Sequence, residues 1–270
     1  VNGKLRGSIR VPAGADRALR RHLEQPGVGH GVRVRHRQPA SRNAARAAAL
    51  PDDRARDGAE AFLYDAWFTN NSAVEGGAVW NEGLLHLYRS SLTINSALGG
   101  LGGGAYNKSP GALLLRNVTV SGNSALVNSS MGGGGGGLFL GGSSIYSSKA
   151  ELLFTTIAGN TSGTGFGGNP GGGGIQFANG DLNLQNTIIA NNSNAVGTSN
   201  CSGANVGISL VTSYGNNLEN TDTCGLTETS DLVNTDPLLS PLTIEGAHPL
   251  QANSPAIDSG ICLPGIDVDQ

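Results

Sequence analysis

Residues 131–144 read MGGGGGGLFLGGSS. Six consecutive glycines have the composition of a flexible tether. The run nevertheless ends abruptly at Leu138-Phe139-Leu140, and two glycines follow directly. Whether this stretch links two domains or lies inside one decides the fold, and its flanks supply the answer.

The sequence around it repeats. Phe68-Thr-Asn-Asn71, Leu92-Thr-Ile-Asn95, Val120-Ser-Gly-Asn123, Ile157-Ala-Gly-Asn160 and Ile189-Ala-Asn-Asn192 all read apolar-x-x-Asn, with the asparagines 24, 28, 37 and 32 residues apart. Each of the last four is approached through glycine: GGAVW (76–80), GGAYN (103–107), GGLFL (136–140) and GGIQF (173–177). A strand-like run then leads into the next element, as in LLHLYRS (84–90), ALLLRN (112–117), AELLFT (150–155) and DLNLQN (181–186). Apolar and polar residues alternate in these runs, and glycine interrupts every stretch long enough for a helix. Three short strands per repeat predict an all-β, right-handed parallel β-helix (solenoid), in which each turn shelters the inward side chains of its neighbours. Phe68, Leu92, Val120, Ile157 and Ile189 are expected in one inward column; Leu87, Leu115, Leu153 and Leu184 are expected in another. Asn71, Asn95, Asn123, Asn160 and Asn192 are expected to occupy tight left-handed corners and to bond amide to amide as a ladder.

On this reading MGGGGGGLFLGGSS is loop plus strand inside one coil. Its last two glycines before Leu138 match Gly76-Gly77 and Gly103-Gly104, and the surplus lengthens an outward loop. Loops at 98–104, 126–137 and 161–174 are expected to project from one side.

The coils are predicted over residues 61–226, and residues 227–270 read as an irregular C-terminal cap, truncated at its end. Within ISLVTSYGNNLEN (208–220), Ile208, Leu210 and Leu218 are candidate inward positions. Cys201 and Cys224 lie 23 residues apart, close to one coil, so a disulfide between neighbouring turns fits, with two buried thiols as the alternative. Cys262 is left unpaired or pairs outside the sequence.

The chain of 270 residues carries a net charge of −3 that hides two unlike parts. Residues 1–60 hold 12 arginines and Lys4 against six acids, giving +7; residues 61–270 hold four basic residues against 14 acids, giving −10. The first part has no aromatic residue to stack on a base and no nucleic-acid-binding motif spacing, so no nucleic acid is expected as partner. It reads as a disordered basic arm, as a poorly structured segment translated out of frame, or as a functional basic segment. No apolar run is long enough to span a membrane.

FTNN with GGAV resembles the FxxN and GGA[ILV] repeats of polymorphic outer-membrane-protein-type passengers. NTIIANNS, NCSG, NNL, CGLT, DLVNTDPLLSPL and SPAIDSG together resemble the C-terminal part of bacterial secreted right-handed β-helix proteins of the choice-of-anchor kind. The resemblance covers about residues 61–270. It implies a secreted or cell-surface bacterial protein, whose export signal and any sorting segment past Asp269-Gln270 lie outside this sequence. A glycan or cell-surface ligand is the partner it suggests, with the oligomeric state left open.

Parallel β-helices also include polysaccharide lyases and hydrolases, which need converging carboxylates or a carboxylate-held Ca²⁺ beside a base. Asp65, Glu75, Glu82, Glu151 and Asp181 are scattered over different repeat positions. Arg89 and Arg116 hold similar positions and are expected one above the other; Lys108 and Lys149 complete the basic set of the coils. His86 and His248 lack a nucleophile context. No catalytic, metal-binding or cofactor-binding residue is assigned and no cofactor is implied, so a structural or adhesive role is preferred to a polysaccharide-active enzyme. Trp80, Tyr106 and Phe166 are the aromatic candidates for a sugar contact. Trp80 and Tyr106 fall in matching slots.

Overall fold

The computed structural model describes residues 4–5, 9–11, 60–125, 134–143, 145–163, 171–203 and 209–263. These residues form no helix; they are strands joined by turns and irregular segments. Three sheets account for the strands, and the chain visits them in rotation. One visit to each is clearest at Leu84–Thr93 in the first sheet, Ser96–Leu101 in the second and Ala105–Lys108 in the third, before Ala112–Ser121 returns to the first. Neighbouring strands of one sheet therefore come from successive visits and run parallel. The other two strands supply the long crossover that parallel pairing requires. Among the described residues, the one antiparallel strand pair is Ser193–Asn194 with Gly197–Thr198.

Register places like residues over like. Phe68, Leu92, Val120, Ile157 and Ile189 pair in sequence through the first sheet, and all are fully buried. A second buried column is Leu63, Leu87, Leu115, Leu152 and Leu184. Leu153, expected in it, instead pairs with Arg116 and faces outward. In each run the inward leucine stands five positions before the apolar residue of apolar-x-x-Asn, and five before Ile157 is Leu152. The period-two pleat sends its neighbour to the other face. The same rule corrects the last repeat. Val211, not the exposed Leu210, pairs with Leu182, and Leu218 is buried; Ile208 lies outside the described residues.

Two stacked corners bend the chain through left-handed conformations. One runs through Asp65, Arg89, Asn117, Phe154 and Asn186, the other through Asn70, Ile94, Gly122, Gly159 and Asn191. The ladder asparagines follow the second set by one residue. The left-handed strain thus falls on the residue before each of them, and the expected double role for one asparagine is divided between two positions.

The glycine approach is shifted from its expected register as well. Val79, Ala105, Leu138 and Ile175 are in register, so Gly77-Ala78 lies over Gly103-Gly104, Gly136-Gly137 and Gly173-Gly174. The left-handed glycines one step earlier are Gly76, Gly102 and Gly135. A Cβ on Gly77, Gly103, Gly136 or Gly173 would lie closer than 3.0 Å to a backbone carbonyl oxygen of the next visit, a separation that real Cβ atoms do not show. These glycines are therefore packed backbone. The expected loop at 98–104 is largely the strand Ser96–Leu101 and this turn; residues 134–137 and 171–174 belong to the stack, while 126–133 and 164–170 lie outside the described residues.

Of the N-terminal segment, Lys4–Leu5 pairs with Trp67–Phe68 and Ile9–Val11 with Val79–Asn81, both parallel, adding two strands below the first visit. The basic stretch between residues 12 and 59 lies outside the described residues.

The C-terminal segment does two things. Asp231 and Leu232 cover the last visit: Glu219 N donates to Leu232 O at 2.8 Å and Leu232 N to Asn217 O at 2.8 Å. From there the chain runs back as a strap along the outer face of the first sheet. His248 reaches Ser121 Oγ at 2.8 Å, and Ile261 N donates to Asn186 Oδ1 at 3.1 Å. The outward residues beneath it are small: Ser91, Thr93, Thr119, Ser121, Ala158 and Ala190 are all buried.

Candidate functional site

The best-defined side-chain system is the asparagine column. Asn71 donates from its backbone N (3.0 Å) and Nδ2 (2.9 Å) to Asn95 Oδ1. Asn95 does the same to Asn123, Asn123 to Asn160, and Asn160 to Asn192, at 2.8–3.0 Å. The second Nδ2 hydrogen goes to a carbonyl of the preceding visit: Phe68 O, Leu92 O, Val120 O and Ile157 O, each at 2.9 Å. Every interior member thus uses both amide hydrogens and both acceptor sites, which is how five polar side chains can be buried together. The column does not stop at Asn192: the short hairpin after it returns Asn200, which accepts from Asn192 Nδ2 at 3.0 Å.

Sequence reading missed a second, shorter ladder. Asn81 Nδ2 donates to Asn107 Oδ1 at 2.7 Å, and both residues are fully buried. The signal was the shared Asn closing Val79–Asn81 and Ala105–Asn107. It fades after two copies because Leu140 takes the next slot.

Beyond Asn200 the ladder meets Glu219, a buried acid in the register of the apolar column, paired with Ile189. Its carboxylate accepts from Asn200 Nδ2 (3.3 Å), Thr223 N (2.9 Å), Thr223 Oγ1 (2.7 Å), Cys224 N (3.1 Å) and the Thr221 hydroxyl. Beside it Cys201 and Cys224 form a disulfide, Cα atoms 4.9 Å apart. Closing a loop of 23 residues is worth about 3 kcal/mol. Cys262 is exposed and free.

The outer face of the first sheet gathers most of the charged candidates. Phe62 stacks on His86 (4.3 Å between centroids) and Tyr64 on Tyr88 (4.8 Å). Arg89 holds Asp65 through two bonds of 2.9 and 3.0 Å; Arg116 reaches Glu151 at 3.6 Å. Arg89 and Arg116 do not stand one above the other, as the sequence suggested: Arg116 pairs with Tyr88, and Arg89 is the corner residue beyond it. The run 84–90 reaches its corner one residue after Tyr88, so matching chain ends mismatched the register. Elsewhere Glu82 binds Lys108 at 2.9 Å, and Asp181 accepts from Ser147 Oγ at 2.7 Å and Leu210 N at 3.2 Å. Glu75 stands on the second sheet and Lys149 at the start of a first-sheet strand, where its carbonyl accepts from Asn107 Nδ2. Among the described residues, no group of three His, Cys, Asp or Glu is placed to hold a metal ion.

Burial lowers the His86 pKa to about 4, and the Arg116 charge adds to the effect. The imidazole is therefore neutral at pH 7, and its 3.3 Å approach to Glu60 Oε1 is not an ion pair. The unfolded chain accepts this proton below about pH 6.5, whereas the folded chain resists it. Its contribution is complete above about pH 6.5 and declines as pH falls towards about 4, by at most about 3 kcal/mol. His86→Phe keeps a ring on Phe62 and is expected to reduce the loss of stability between about pH 7 and about pH 4.5. Denaturant midpoints measured at both pH values check this: an equal fall in parent and variant contradicts the assignment. Tyr88 is pushed above its ordinary value chiefly by burial.

On the outer face of the third sheet Trp80 stacks on Tyr106 at 5.7 Å, and Phe139 meets Tyr106 edge-on at 5.2 Å. Lys108 lies over the Trp80 ring at 5.4 Å. Burial, then the Glu75 and Glu82 charges, push Tyr106 up to about 12. Phe166 lies outside the described residues. A hollow of about 590 Å³ separates the strap from the first sheet, between Thr156, Ile188, Asn216, Leu250 and Ile261. His248 lines it, its two nitrogens on Ser121 Oγ and Ser240 O at 2.8 Å each.

No known protein family, curated protein or solved structure matches this chain. No helix among the described residues is long and apolar enough to cross a membrane.

Proposed function

We propose that the chain is a right-handed parallel β-helix domain of a secreted or cell-surface bacterial protein, with a structural or adhesive role. The observation that carries the reading is the saturated asparagine column. It bonds consecutive visits of the chain along one line and leaves no polar group for chemistry. Such a column suits a stiff rod that holds its surfaces at fixed spacing. The Cys201–Cys224 disulfide agrees with an oxidising compartment. Arg89 is engaged with Asp65, Lys108 with Glu82, Arg116 with Glu151, and Asp181 with Ser147 and Leu210 N, which favours a scaffold over a polysaccharide-active enzyme.

Two measurements test this. Antibodies raised against the purified chain should label intact cells or the culture medium of the source organism; a signal confined to the cytosol overturns the localisation. A panel of polyuronides and neutral polysaccharides should release no unsaturated or reducing sugar. Release that disappears in Glu151→Gln or Asp65→Asn would establish the enzyme instead.

A further inference from the structure

The third sheet carries a hollow of about 490 Å³ on its outer side, where two successive visits leave for the first sheet. It is lined by Tyr106, Lys108, Pro110, Gly142, Ser143 and Tyr146. Both walls are fixed by backbone bonds. Ser109 N donates to Gly141 O at 2.7 Å, joining one wall to the other, and Gly142 N donates to Ala178 O at 2.6 Å, tying the upper wall to the next visit. The upper wall also closes on itself: Ser143 N donates to Tyr146 O at 2.8 Å, and Tyr146 N to Ser143 Oγ at 3.1 Å. These bonds hold Tyr146 at the rim with 56% of its surface exposed. Tyr106 is immobilised more strongly. Trp80 stacks on it, Phe139 meets it edge-on, and its ring lies across Gly141, where a Cβ would collide with it. Glu82 fixes the Lys108 ammonium at 2.9 Å.

A rigid ring at the base, a second ring at the rim, a pyrrolidine wall and a few hydroxyl and ammonium donors make a two-sided surface. A pyranose has the matching division: C–H faces that lie against aromatic rings and hydroxyls at its edge. The volume falls in the range of small-molecule sites, about 300–1,000 Å³. Glu82 already balances the one ammonium, so no excess positive charge awaits an anion. We propose that this hollow is a subsite for a neutral pyranose unit of a polysaccharide chain. The inference goes beyond the scaffold reading, because the site lies on the stacked turns themselves.

The test is calorimetric titration of the whole chain with cellohexaose, maltohexaose and the hexamer of N-acetylglucosamine. At least one should bind saturably, and Tyr146→Ala should weaken it tenfold or more. Tyr146 is exposed, so its replacement should leave the melting temperature in place. Tyr64→Ala, on the first sheet, should leave the affinity unchanged. The proposal is overturned by no saturable binding of any of the three, by equal binding in Tyr146→Ala, or by equal losses in the two tyrosine variants. None of these results bears on where the protein is found, so the scaffold reading stands or falls separately.

Discussion

Gly136→Ala is expected to abolish cooperative folding. The added methyl would be driven onto the carbonyl oxygens of Gly173 and Thr161, both backbone atoms. Neither can rotate away, and the stack that holds them continues through Gly103 below and Gly173 above. Relief requires the two visits to separate, which breaks bonds such as Gly135 N to Gly172 O and Gly137 N to Gly173 O. A loss beyond about 4 kcal/mol follows from a clash that only backbone movement can relieve. Gly159→Ala is the control. Gly159, unlike Gly136, is left-handed, at φ 64°, but a Cβ there meets nothing within 4 Å. Its replacement is expected to cost only the left-handed penalty of about 1–2 kcal/mol. Thermal melts followed by far-ultraviolet circular dichroism separate the two. A Gly136→Ala protein melting within a few degrees of the parent would mean that the visits are not stacked this tightly.

Asn123→Ala, like the same change at Asn95 or Asn160, should be among the most damaging polar substitutions in the ladder. Removing the amide takes the acceptor from Asn95 N and from one Asn95 Nδ2 hydrogen, and takes a donor from Leu92 O and Asn160 Oδ1. All these groups are buried, and each orphaned one costs about 1–3 kcal/mol. Partial relaxation leaves an expected loss of about 3–5 kcal/mol. Asn123→Asp should be no better, because it places a carboxylate oxygen against the Asn160 Oδ1 acceptor. Chemical denaturation of the two variants checks this; a loss below about 1 kcal/mol in Asn123→Ala would show that the column is not a saturated chain of bonds.

These two expectations rest on features of unequal legibility. The asparagine register could be read because apolar-x-x-Asn recurs with one spacing between its own members, whatever the length of the loops between copies. Leu152 was misread for Leu153 because both are leucine, and only counting from the following Ile157 decides which faces in. The glycine triplet slipped by one place because Ala78 stands third in the first copy; a small side chain is tolerated there but not at Gly77. The strap over Ser91, Thr119 and Ser121 left only a faint trace, the small residues flanking each apolar anchor, since its own sequence has no period. The hollow between Tyr106 and Tyr146 was invisible. It depends on a turn at 143–146 from one visit meeting a turn at 108–111 from the previous one, and no spacing within either stretch announces the meeting.

The ladder also has a direction. From Asn71 to Asn200 each rung passes one amide hydrogen on to the amide oxygen of the next, so the oxygens of Asn95 through Asn200 all face the rung before. Aligned dipoles of this kind add, so the column carries a partial positive pole at its C-terminal tip, as a helix does at its N-terminus. The Glu219 carboxylate sits at that pole and is met by donors alone. An anion there neutralises the accumulated polarity and puts a charge where another oily residue would be needed to extend the column. The stack is therefore electrically finished at this tip, with the carboxylate buried beneath the chain's own Asp231–Leu232 segment, so the column is closed from within the molecule.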